Sequence, residues 1–272
     1  MRNLTKALGY ILLTVAALTF IYPFLWMASA SLKPENEIGT LALISKNFSV
    51  RGYRAVFRQI PIARALFNSG LVSITATASV LVLSSMVGYA LARLRFLGRD
   101  SILNLVLLTM MIPGQLLLIP MYILVVRLGW TDSYRALIIP AMISNMGIIV
   151  FRQFFKSLPQ DLIDAARIDG CSDYRILFQI FWPLSKPVLI TVGIITFIGS
   201  WNEVLWPLIV IRRWSMMTMP QMVTLFHVGG LANAQVAAEM AAAMMLALPV
   251  ILAYLFFQRY FIESLALSGI KG

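Results

Sequence analysis

The stretch SILNLVLLTMMIPGQLLLIPMYILVV, residues 101–126, carries no charged side chain between Asp100 and Arg127. At 1.5 Å rise per residue, about 20 apolar residues in a helix cross the ~30 Å hydrocarbon core of a bilayer. This run is long enough, and it is far longer than an ordinary strand. Working outward, uncharged runs recur at residues 7–32, 65–92, 136–151, 187–202 (continuing beyond Glu203) and 240–258. The expected fold is an all-α membrane protein, a single domain over residues 1–272. Its six transmembrane helices are placed at about 8–30, 66–92, 102–126, 134–154, 188–210 and 239–258.

Composition agrees. Sixty per cent of the residues are hydrophobic and 12% charged, against roughly half and a quarter in soluble domains, and the mean hydropathy is +0.85. The formal charge of +11 does not point to nucleic acid, because the basic residues are scattered between apolar blocks rather than gathered in a stripe. Arg2 and Lys6 precede an apolar run ending in Ala28-Ser29-Ala30, which mimics a cleavable leader, but the run exceeds the 7–15 residues of a leader core and is kept as a span. With the N-terminus inside, twelve of the 22 Lys and Arg fall in cytoplasmic segments and ten outside. Six of those ten lie in the long first connection, where the positive-inside rule weakens, so both termini are expected in the cytoplasm. Cys171 and His227 are the sole cysteine and histidine. No internal disulfide, cysteine-pair zinc site or convergent catalytic cluster is expected. With no G-x-x-x-x-G-K-[ST], any ATP chemistry belongs to another chain.

Four of the eleven acidic residues, Asp161, Asp164, Asp169 and Asp173, crowd the connection between the fourth and fifth spans. Residues 157–187 are expected to form helix, tight turn, helix outside the lipid. Ser157 should cap the first helix with Pro159 in its first turn, Gly170 should stop it in a left-handed conformation, and Ser172 should cap a second helix ending before Pro183. Ala165 and Ala166 would let a partner's surface approach the backbone, with Leu162 and Ile168 as anchors and Asp164 and Asp169 as charges. An ordinary amphipathic loop helix fits the same residues.

Glu203 is the one carboxylate expected within a span, 15 residues after Val188, or about 22 Å along a helix and so in the outer half. Asn202 beside it offers hydrogen bonds, and Trp201 and Trp206 offer indole faces, the groups that suit a sugar ring. An interfacial aromatic belt with Pro207 ending the helix explains the same residues. Asn104, Gln115 and Asn145 read as interhelical hydrogen-bonding groups, and Pro113 and Pro120 as kinks. Gly229 and Gly230, in the outer connection Arg212 to Ala238, suit either a tip that approaches a partner closely or a plain surface turn.

Asp164-Ala165-Ala166-Arg167-Ile168-Asp169-Gly170, followed by Phe178, Ile180, Pro183-Leu184 and Pro187, resembles the EAA loop of ABC-importer membrane subunits, with Asp164 in place of the usual Glu. Tyr53-Arg54-Ala55-Val56-Phe57, Asn68-Ser69, Gly88-Tyr89-Ala90-Leu91-Ala92-Arg93, Trp201-Asn202-Glu203-Val204-Leu205-Trp206-Pro207-Leu208 and the tail from Gln258 to Gly272 are similar to MalG-like permeases of carbohydrate importers. The resemblance implies a type I importer fold in the bacterial inner membrane. Its partners would be a second homologous permease, two ATP-binding subunits that hold the ATP and Mg, and an extracytoplasmic solute-binding protein or lipoprotein. It casts Asp164, Ala165, Ala166, Asp169 and Gly170 as the ATPase-coupling element and Gly229 and Gly230 as a binding-protein contact, while Trp201, Asn202, Glu203 and Trp206 are the expected substrate path on their own chemistry. Glycerol-3-phosphate or a glycerophosphodiester is the alternative solute. A secondary transporter is the alternative mechanism, disfavoured by the lack of an evident inverted repeat or coupling-ion site.

Overall fold

A computed structural model describes residues 2–39, 42–44, 47–228 and 235–269. They form two compact units, Met1–Arg64 with Met219–Pro249, and Ala65–Thr218 with Val250–Gly272. In chain order the helices are α1 (Arg2–Ala30), α2 (Arg51–Gln59), α3 (Ile62–Arg93), α4 (Arg99–Met110), α5 (Leu118–Arg127), α6 (Tyr134–Ile138), α7 (Asn145–Ser157), α8 (Asp161–Ile168), α9 (Asp173–Arg175), α10 (Trp182–Leu184), α11 (Lys186–Trp201), α12 (Leu205–Val210), α13 (Met219–Val228) and α14 (Val236–Gly269). Among the described residues there is no strand.

Among the described residues four helices are long and apolar enough to cross a membrane, and the number rises to six when each of two sharply bent helix pairs is taken as one span. The third expected span is such a pair. Residues Arg99–Met110 and Gly114–Arg127 meet at 95°, because the chain breaks at Pro113, which has no N–H to continue a helix, and turns through a 3-10 segment at Gly114–Leu117. Pro120 lies in the first turn of α5, where proline is tolerated, so one of the two expected kinks is a break and the other is absorbed. The fifth span is also interrupted: α11 stops at Trp201, and α12 begins at Leu205. Pro207 therefore sits inside α12 rather than ending a helix.

In the first unit α1 leaves Leu8, Tyr10, Ile11, Leu12 and Leu13 more than half exposed, an apolar surface that suits lipid and not water. Glu35 caps a distant helix. Its carboxylate accepts from the backbone N–H groups of Val236 at 2.6 Å and Ala237 at 3.2 Å, two of the orphan donors that open α14.

In the second unit one end of the bundle is tied by polar groups. Asn68, fully buried, donates to the carbonyls of Ser215 (3.0 Å) and Met217 (2.8 Å) and accepts from the Tyr134 hydroxyl at 2.7 Å. Asp132 adopts a left-handed φ of 53°, which a short polar side chain tolerates, and its Oδ1 accepts from the backbone N–H groups of Arg212 and Arg213, each at 2.7 Å. The Arg213 amide, with help from Arg212, holds the Asp132 carboxyl below its ordinary value of 3.8. Midway along α3, Ser84 Oγ accepts from the Ser144 N–H at 3.0 Å while Ser144 caps α7 through the Gly147 N–H.

Candidate functional site

The first candidate is the segment between α7 and α11. Ser157 does not cap α8. It is the last residue of α7 and donates back to the Phe154 carbonyl at 2.8 Å. Pro159 then forbids continuation of α7 and the next helix starts at Asp161, with Asp161 and Asp164 in its first turn, where negative charge suits the helix dipole. The stop at Gly170 is as expected, with φ +73°. The Cys171 N–H bonds the Ala166 carbonyl at 2.9 Å and the Gly170 N–H bonds the Arg167 carbonyl at 3.0 Å, the paired bonds of a Schellman ending. Ser172 accepts from the Arg175 N–H as the cap of α9. The second helix runs past the expected limit: a π-helical turn, Ile176–Phe181, leads into α10 with Pro183 in its first turn. The chain then bends by 87° into α11.

The two alanines of α8 separate. Ala166 is 5% exposed and belongs to the chain's own core with Tyr89, Phe151, Phe155, Ile163 and Phe181, which corrects the expectation that it faces a partner. Ala165 is exposed, as are Asp164 and Asp169, and Ile168 is 87% exposed. The outward face of α8 thus presents a small residue beside a bare aliphatic one between carboxylates.

Residues of α3 that no motif reading had assigned hold this segment. Arg93 Nε and Nη2 donate to the Phe155 carbonyl at 3.0 and 2.6 Å, Nη2 also to the Leu158 carbonyl, and Nη1 to Gln160 Oε1 at 2.9 Å. A cation thereby closes the C-terminal end of α7, adding to the Leu158 N–H on the Phe155 carbonyl and supplying the donor for the Leu158 carbonyl, with its guanidinium 5.8 Å from the Phe181 ring centre. Tyr89 donates to Asp173 Oδ1 at 3.1 Å, and Trp182 Nε1 to Ser85 Oγ at 3.0 Å. Gly88 permits the approach, since a Cβ there would meet Phe151 Cβ at 2.8 Å and the Ile148 carbonyl oxygen at 3.0 Å. The half-exposed Arg167–Asp173 pair at 3.3 Å adds little.

The second candidate is a cavity of about 440 Å³ in the same unit, beside the break after α11. Glu203 and Trp206 line it, together with Gln115, Ser200 and Thr218, while Trp201 and Asn202 do not. Both indoles are buried in the protein. Trp206 Nε1 donates to the Ala136 carbonyl at 2.8 Å, and Trp201 stacks on Phe197 with ring centres 5.8 Å apart. Glu203 stands in the break itself, where its Oε1 accepts from the Trp206 N–H at 3.1 Å and so secures the start of α12. Asn202 is exposed. Gly229 and Gly230 lie outside the described residues. Among the described residues no group of three or more His, Cys, Asp or Glu is placed to hold a metal ion.

A family model described as binding-protein-dependent transport system inner membrane component matches residues 81–266. The chain is 37% identical to the arabinooligosaccharides transport system permease protein AraQ of Halalkalibacterium halodurans, across 93% of this chain and 91% of that protein. It is 31% identical to the polygalacturonan/rhamnogalacturonan transport system permease protein YtcP of Bacillus subtilis, across the full length of both. Among solved structures, a chain of a bacterial ABC transporter involved in the import of the acidic polysaccharide alginate shares the fold with a TM-score of 0.83. It is 24% identical, and the match covers 95% of this chain and 97% of that one.

Proposed function

Because this chain belongs to the inner membrane components of binding-protein-dependent transport systems, we propose that it is one of two related permease subunits of an ATP-driven importer for a sugar or oligosaccharide. Of the two ATPase subunits, one docks on α8 of this chain from the cytoplasm, and a solute-binding protein delivers the solute from outside. Six spans cross the membrane with both termini inside. In the second unit Arg93 joins the ends of α3 and α7 at one extremity, and Asn68 and Asp132 join the opposite ends to residues 210–217; the inward orientation of the termini rests on the distribution of Lys and Arg between the connections.

The observation that carries the reading is the α8 face anchored by α3. Ala165, Ile168, Asp164 and Asp169 form an exposed patch on a segment that Arg93 and Tyr89 fasten to the bundle. Motion of a docked ATPase passes into the spans as a rigid displacement. A sugar as cargo rests on the names of the relatives and on the cavity beside Glu203, whose apolar walls carry a few polar groups. The test is ATP hydrolysis by the assembled complex with its binding protein, across neutral oligosaccharides and phosphodiesters. Stimulation by a neutral oligosaccharide is expected, and stimulation by phosphodiesters alone would overturn the sugar assignment.

A further inference from the structure

The cavity at the break after α11 has an asymmetric chemistry. Of its lining residues Glu203 alone is ionisable, and no Lys or Arg lines it. Among the described residues the carboxylate pairs with no cation, and its bond is to the Trp206 backbone N–H. Thr218, 5% exposed, also lines the cavity, and among the described residues its hydroxyl has no hydrogen-bond partner. A buried hydroxyl without a partner is unusual, and an unfilled ligand site is one physical reason for it. Gln115 adds an amide that donates and accepts, and Leu118 and Leu137 provide apolar walls. The volume, about 440 Å³, falls in the ordinary range for small-molecule sites.

We propose that this cavity is a solute subsite in which Thr218 and Gln115 read hydroxyl groups and Glu203 rejects anions, so that the solute class is neutral carbohydrate. This rests on the carbohydrate-import reading above. An anionic group entering the cavity meets an uncompensated carboxylate. Like charges about 6 Å apart at an effective dielectric of about 20 disfavour occupancy by roughly a hundredfold, and screening by water in the cavity leaves about tenfold. Arg212 and Arg213, the cations nearest in sequence, are absent from the lining, and their backbone amides hold the Asp132 carboxylate. The geometry therefore argues against glycerol-3-phosphate and against uronate polymers.

The test begins with the charge of the site, which needs no knowledge of the solute. In the assembled complex carrying Cys171→Ser, Gln115→Cys is reacted with a trimethylammonium-ethyl and a sulfonatoethyl methanethiosulfonate. Each rate is divided by that reagent's rate on free cysteine. The cation is expected to react at least about tenfold faster, and Glu203→Gln should bring the two within about twofold. Equal corrected rates, a preference that survives Glu203→Gln, or no reaction with either reagent would each overturn the proposal. The second arm reads the hydroxyl: for arabinotriose uptake, Thr218→Val should raise KM about two- to tenfold, with Thr218→Ser restoring it. Unchanged KM in Thr218→Val would remove Thr218 from the subsite. If no neutral saccharide enters through the parent complex, carbohydrate import itself has failed, while the labelling rates still report the charge of the cavity.

Discussion

Replacing Arg93 by Met keeps an aliphatic stem of similar reach and removes every donor. The Leu158 carbonyl and Gln160 Oε1 then lose the donor that Arg93 supplies, while the Phe155 carbonyl keeps the Leu158 N–H at 3.4 Å and Gln160 Nε2 keeps Asp164. A buried carbonyl left without a donor costs about 1–3 kcal/mol, and the guanidinium–ring contact with Phe181 adds about 0.5–1 kcal/mol. Arg93 is only half-buried, so water recovers part of this, and a net loss of about 1–3 kcal/mol is expected, the scale at which a single change disables a local contact. The loss falls on the join between α7 and α8 rather than on insertion of the spans. Membrane content and ATPase co-purification of Arg93→Met should stay near the parent's, while solute moved per ATP hydrolysed falls. Arg93→Lys, a single point charge able to reach one carbonyl, should fall between the two. An unchanged transport-to-hydrolysis ratio in Arg93→Met, together with unchanged thermal stability, would refute the claim that this arginine fastens the coupling segment.

Three further outcomes follow from the same geometry. Ala166→Leu overpacks the chain's own core and should lower thermal stability by about 1–3 kcal/mol, whereas Ala165→Leu should leave stability unchanged and reduce ATPase co-purification. Equal stability of the two purified variants would remove that distinction. Gly88→Ala should destabilise the α3–α7 contact by about 1–3 kcal/mol, since the added methyl meets Phe151 Cβ at 2.8 Å; a melting temperature equal to the parent's would show that the helices part freely. Asp132 has a carboxyl pKa held below 3.8, so its contribution is full above pH 3.8 and is lost as pH falls through the lowered folded value. The stability difference between the parent and Asp132→Asn, measured by denaturant titration, should be constant above pH 3.8 and shrink below it. A difference that grows on acidification would contradict the assignment.

Features set by local chemistry were legible in the sequence. Uncharged length marks a lipid-crossing helix, and Gly170 and Ser172 mark a helix end and a helix start because each acts within a few residues of itself. What escaped depends on distant partners. Arg93 lies 62 residues from Phe155, and nothing near it announces which carbonyls it will close. Ala165 and Ala166 are equivalent in composition, and only the packing of Phe155 and Phe181 decides which one turns inward. The break at residues 202–204 was hidden by hydropathy, since an apolar window does not register that Glu203 bonds the Trp206 amide and starts a new helix. Trp206 looked available to a sugar ring because its burial and its bond depend on Ala136, 70 residues away in sequence and close in space, and Trp201 because composition alone does not show that its ring stacks on Phe197 one turn earlier in the same helix. Ser157 was misplaced as a cap because α7 runs on to meet it, and Pro159 rather than Ser157 sets the boundary.

The proposed coupling of solute movement to ATP hydrolysis in a partner is put to the test by uptake of radiolabelled neutral oligosaccharide into sealed vesicles holding the assembled complex, with binding protein outside. Uptake is expected with ATP enclosed and all ion gradients collapsed, and it should be absent with a non-hydrolysable ATP analogue. Uptake that instead follows an imposed proton or sodium gradient without ATP would contradict it.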